Sequence, residues 1–118
     1  MRLLVLLVIT TLPFSAAALD PSTMSPLAAA YYQCMMKQSA HYGKKAENAA
    51  EAIVAARSSC QKQREELQID TFAEIAATEA IAGRTVSEYQ INRRANAALD
   101  KVDERMRPDW VRSVLEAK

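Results

Sequence analysis

A chain of 118 residues, half of them hydrophobic, with 15 basic against 14 acidic side chains and a formal net charge of +1, has room for one small domain and carries no concentrated positive field. Nucleic acid and anionic lipid both demand such a field, so neither is expected as the main partner. A single histidine and two isolated glycines exclude zinc sites built on several imidazoles and loops that cradle phosphate.

The first predicted element is an export signal. Arg2 supplies its positive start, residues 3–12 its apolar run, and Ser15-Ala16-Ala17-Ala18 the small-residue pattern that signal peptidase prefers. The apolar run is about half of the ~20 residues that a bilayer span needs, and Pro13 interrupts its end. Cleavage after Ala18 is therefore expected, with residues 1–18 removed and residues 19–118 forming a single helical domain. No cysteine stands at the cleavage point to take a lipid, so no stable membrane insertion is expected after cleavage. Loss of Arg2 leaves 14 basic against 14 acidic side chains. A periplasmic or secreted location follows as an expectation.

Residues 27–107 contain no proline, alanine is abundant, and no run of alternating β-branched residues occurs, so the fold class is all-α. Residues 19–24 read as an extended lead-in. Ser25-Pro26 then supplies an N-cap and a first-turn proline. Leu27, Ala30, Tyr31, Cys34, Met35, Gln38 and Tyr42 recur at spacings of three and four up to Gly43, which is placed to end the helix. Asn48-Ala49-Ala50-Glu51 has the form of a capping box, and Ala49, Ile53, Ala56, Cys60 and Leu67 share one face of the helix it opens.

Cys34 and Cys60 both fall on these stripes, and a short turn between the helices would bring them level. A helical hairpin closed by a Cys34–Cys60 disulfide is expected, since export supplies an oxidising compartment. Closing that loop is worth roughly 3.5 kcal/mol in the chain-entropy model. Two unpaired buried thiols, or a redox pair, are the weaker alternatives, because neither cysteine stands in the Cys-x-x-Cys turn that thiol chemistry favours.

Thr71-Phe72-Ala73-Glu74 repeats the capping pattern, so a break near residues 68–70 is plausible, with one continuous helix the alternative. Phe72, Ile75, Ala76, Glu79 and Ala82 carry a stripe on to Gly83, and Thr85-Val86-Ser87-Glu88 offers a restart. One or two further helices thus follow the hairpin. The last long one bears Ile91, Ala95, Ala98, Leu99, Val102 and Met106 on one face and is expected to stop at Pro108. Trp110, Val111, Val114 and Leu115 then form a short C-terminal helix whose face is either docked or exposed.

No catalytic constellation accompanies these helices. His41 has no nucleophile context, and neighbouring carboxylates such as Asp103 and Glu104 point in different directions, which makes surface charge the simpler account. No catalytic residue and no cofactor is therefore expected. Met35, Met36 and His41 make the one soft-metal or small-ligand reading, an alternative in competition with ordinary core filling. Tyr32, which points away from the first stripe, and Trp110 are the candidate partner contacts.

Taken in order, the export signal, Tyr31-x-x-Cys34, the alanine-rich stretch with Glu51 and Ile53, and Cys60 with Arg64 and Leu67 resemble small periplasmic proteins of Gram-negative bacteria that carry two cysteines on a helical hairpin. The likeness covers about residues 27–70 and implies location and architecture, without an activity. The expectation is an exported, non-enzymatic helical protein that meets an unknown protein partner or serves as an envelope component. Its oligomeric state is left open.

Overall fold

The computed structural model describes residues 18–118; the expected export signal, apart from Ala18, lies outside them. Among the described residues there are four α-helices and no strand: α1 (Pro26–Gly43), α2 (Ala49–Ser59), α3 (Gln61–Ile81) and α4 (Glu88–Glu116). None of these helices is long and apolar enough to cross a membrane.

Local chemistry accounts for most boundaries. The lead-in is a 3-10 turn over Pro21–Thr23 in place of an extended segment, because the Asp20 carboxylate accepts the Ser22 amide. Ser25 Oγ caps α1 by accepting the Ala28 amide, with Pro26 in the first turn. Asn48 Oδ1 accepts the Glu51 amide at 2.9 Å, and Glu51 reaches back to the Glu47 amide, one residue before the cap. Ser87, two positions after Thr85, caps α4 through the Gln90 amide.

Two further expectations are corrected. The chain does not break at residues 68–70: Thr71 Oγ1 bonds back to the Leu67 carbonyl within α3. The discontinuity falls at Cys60, whose φ of −103° and ψ of 14° separate α2 from α3. Nor does Pro108 end α4, which runs through it to Glu116. An interior proline costs about 3 kcal/mol; Pro108 is exposed, and the turn beyond it buries Trp110 and Val114, which offsets that loss.

Gly43 has a second role beyond ending α1. A Cβ there would stand 2.9 Å from Val114 Cα and 3.0 Å from its carbonyl oxygen, so only glycine lets α1 meet α4 this closely. Gly83, by contrast, adopts φ +71°. It closes α3 in a Schellman motif, with the Arg84 amide on the Glu79 carbonyl and the Gly83 amide on that of Ala80.

The resulting molecule has two parts. In the base, α1 packs on α2, α4 and the first turns of α3 around Tyr31, Met35, Ala56, Leu99, Trp110 and Val114. The disulfide Cys34–Cys60 closes this part, with the two Cα atoms 5.9 Å apart. Beyond it, residues 72–98 of α3 and α4 extend as a two-helix arm whose buried apolar residues are Ile91 and Ala95.

Candidate functional site

The polar chemistry of the base gathers at two buried carboxylates on α4. Asp103 lies one step along the stripe Leu99, Asp103, Met106, Trp110, so the helical phase that buries its neighbours also buries it, to 5% exposure. The Tyr31 hydroxyl donates to its Oδ1 at 2.6 Å. Arg64 donates to its Oδ2 through Nε at 3.3 Å and Nη2 at 3.0 Å. Arg57 Nη2 stands 3.4 Å from the same oxygen, and Arg64 also reaches Asp100 at 3.5 Å. Every helix thus contributes to this cluster: Tyr31 from α1, Arg57 from α2, Arg64 from α3 and Asp103 from α4.

The phenol of Tyr31 is pushed well above its ordinary range, first by burial and then by its bond to Asp103. It therefore remains a donor and is not poised as a base or nucleophile. Burial works against the charge on Arg64, but the bond to Asp103 raises its pKa nonetheless. What the cluster does chemically is hold four helices in register through charge-assisted hydrogen bonds.

Asp109 forms the second site. Its Oδ2 accepts both the Tyr32 hydroxyl at 2.7 Å and the Leu19 amide at 2.9 Å, while Oδ1 faces Arg112 Nη1 at 3.7 Å. Burial, followed by the bond to Asp109, pushes the Tyr32 phenol up to about 12.

The candidate contacts are therefore corrected. Tyr32 is 4% exposed and bonded to Asp109, and Trp110 is fully buried, its ring edge-on to Tyr31 with centroids 5.8 Å apart. The apolar C-terminal face is docked, and neither ring is offered to a partner. Of the soft-metal set, Met35 is buried in the core, Met36 is half-buried and His41 is exposed beside Tyr42; they share no accessible face. Cys34 is committed to Cys60.

The reading of Asp103 as surface charge is likewise corrected, and its α4 neighbour Asp109 was missed. The signal for Asp103 was its place on the α4 stripe. For Asp109 the signal was its position beside Trp110, opposite a tyrosine pair on α1 that needs acceptors when buried.

The arm carries a third polar group at its tip. Glu79 accepts from Arg84 Nε at 2.7 Å and from Arg94 Nη1 at 2.9 Å. At its neck, Gln68 donates to Asn96 at 2.8 Å. Around these contacts Ile69, Ile81 and Tyr89 project into solvent, Ile81 at 88% exposure, and Arg93 lies 5.9 Å over the Tyr89 ring.

No family model, no curated protein and no solved structure matches this chain.

Proposed function

We propose that this is an exported, non-enzymatic protein of the bacterial envelope that works through protein contacts, with the α3–α4 arm as the element that makes them. The observation that carries this reading is the division of the molecule. The base is closed by a disulfide and buries Tyr31, Tyr32 and Trp110, with Val54 and Leu115 as its exposed large apolar residues, whereas the arm leaves Ile81 and Tyr89 uncovered on either side of its turn, with Ile69 exposed at its neck. Exposed Ile81 and Tyr89 flanking the α3–α4 turn, with Arg93 over the Tyr89 ring, combine apolar and charged groups of the kind that protein contacts use. A structural disulfide fits an oxidising compartment. The buried ionisable groups spend their bonding capacity on one another, which supports a scaffold role over a catalytic one.

The test is site-specific photocrosslinking in the native envelope. A crosslinking residue at position 81 should give an adduct of defined mass that Tyr89→Ser weakens, and the same residue at position 37 on the exposed side of α1 should give none. Identical adducts from both positions, or no adduct from position 81, would sink the reading. Compartment is checked separately by fractionation: two thiols should become alkylatable only after reduction of the periplasmic protein.

A further inference from the structure

Within the lead-in, the Leu19 amide reaches a buried charge. It sits 2.9 Å from Asp109 Oδ2, on a carboxylate that is 4% exposed and already carries the Tyr32 hydroxyl. The Leu19 side chain packs against the core and, with Met24, Ala28, Val102, Met106 and the charged Arg105, lines a shallow depression. Ala18, immediately before it, is exposed and ends the Ser15-Ala16-Ala17-Ala18 pattern. The nitrogen that export cleavage would free is thus the nitrogen that the buried carboxylate holds.

We propose that Ala18–Leu19 is the processing site and that the new Leu19 ammonium docks on Asp109 as a buried ion pair, so that maturation completes the fold. The inference rests on the export reading above. Hydrolysis by a signal peptidase adds the oxygen of water to the Ala18 carbonyl carbon and breaks the C–N bond. The departing signal keeps the carboxylate, and the protons of that water end on the Leu19 nitrogen, giving –NH3+. A neutral amide donor with one hydrogen becomes a charged donor with three, opposite a carboxylate removed from water. Charge-assisted hydrogen bonds of this type are about twice as strong as neutral ones. The unprocessed chain keeps the single neutral bond at Oδ2, and the processed chain adds a charge there to the one that Arg112 already sets against Oδ1.

The experiment is a two-by-two stability cycle on the mature chain, released at Leu19 from a cleavable fusion. The free ammonium is compared with an N-acetylated Leu19, each with and without Asp109→Asn. Acetylation should lower the folding equilibrium constant about tenfold with Asp109 present and twofold or less in Asp109→Asn. An equal effect in both backgrounds overturns the pair. Should Asp109→Asn not fold, acylation kinetics of the wild-type Leu19 amine decide: slower labelling in the native chain than in a chain extended by Ala18 supports the pair, and equal rates overturn it. Sequencing the first residues of the protein from the periplasm separates the two readings. A start other than Leu19 sinks this inference alone, and an uncut cytoplasmic chain sinks the export reading with it.

Discussion

The base and the arm are made of the same continuous helices, α3 and α4, yet they are held in different ways. In the base each of these helices meets α1, so apolar stripes close on one another from several sides and two carboxylates are drawn inside with them. In the arm each helix has only the other to face. A two-helix layer buries one stripe per helix, here Ile91 and Ala95 on α4 against half-buried Phe72, Ile75 and Ala76 on α3, and leaves the remainder wet. The difference teaches that partner number, more than helix length or propensity, decides where this molecule buries its side chains.

The largest test of that contrast is removal of the cross-link. Replacing Cys34 and Cys60 together by serine should cost roughly 3.5 kcal/mol of global stability, the loop-closure value for their separation of 26 residues. Urea denaturation measures the loss. Native-state amide exchange in the tip of the arm should stay as it was, because that region opens locally. Faster exchange at the tip would show that the disulfide organises the whole chain and would erase the distinction.

Next in size is Asp103→Ala. It strands the Tyr31 hydroxyl in the core and leaves Arg57 and Arg64 without their common acceptor. About 3 kcal/mol is expected from these two effects, since both arginines retain some access to water. The corresponding charge removal in the arm, Glu79→Gln, should leave the global midpoint in place. Equal losses from the two changes would break the comparison.

The base was largely legible before the structure, and the reasons are physical. Ser25-Pro26 and Asn48 act within a few residues of themselves, so their caps could be read locally, and the stripes that carry Cys34 and Cys60 set the hairpin and its cross-link. What escaped was decided by tertiary contacts. Asp103 looked like surface charge because its acceptors' partners, Tyr31, Arg57 and Arg64, come from three other helices. Pro108 looked like a stop because its local cost is large; only the docking of Trp110 against Tyr31 makes the helix worth continuing. Thr71 and Asn48 begin similar motifs, yet Asn48 follows a turn while Thr71 has intact helix before it, and that context separates a cap from a back-bonded threonine. Tyr32 misled for a similar reason. Its ring leaves the main stripe, but α4 continues through Pro108 and sets Asp109 against it.

The two glycines sharpen the contrast at smaller scale. Gly43→Ala forces a Cβ against the Val114 backbone, an overpacking that should cost about 1–3 kcal/mol. Gly83→Ala meets nothing within 4 Å, and its cost comes from the left-handed φ alone, about 1 kcal/mol. Thermal unfolding should rank them in that order. A reversed ranking would mean that the arm's turn matters more to stability than the closest approach in the base.

The smallest expected effects are those of pH, and they run in opposite directions in the two parts. In the base, Tyr32 has its pKa raised to about 12 from 10.0, so the folded state keeps a proton that the unfolded chain loses. The stabilisation is complete below pH 10 and is lost as the pH rises toward 12. Tyr32→Phe should flatten that part of the alkaline unfolding curve.

In the arm, the bond from Arg84, reinforced by Arg94, holds the Glu79 carboxyl below its ordinary value of 4.5 against the opposing effect of burial. A depressed carboxylate stabilises the folded form above its unfolded pKa and ceases to do so as the pH falls through the folded one. The tip should therefore loosen below pH 4.5, seen as faster amide exchange over residues 79–88, corrected for the intrinsic rate. Glu79→Gln should show that loosening already at pH 6 and change little on acidification. If the variant instead follows the wild-type acid response, the Schellman turn at Gly83 holds the tip and the ion pairs do not. The contrast between base and arm would then rest on packing and backbone geometry, with charge confined to the base.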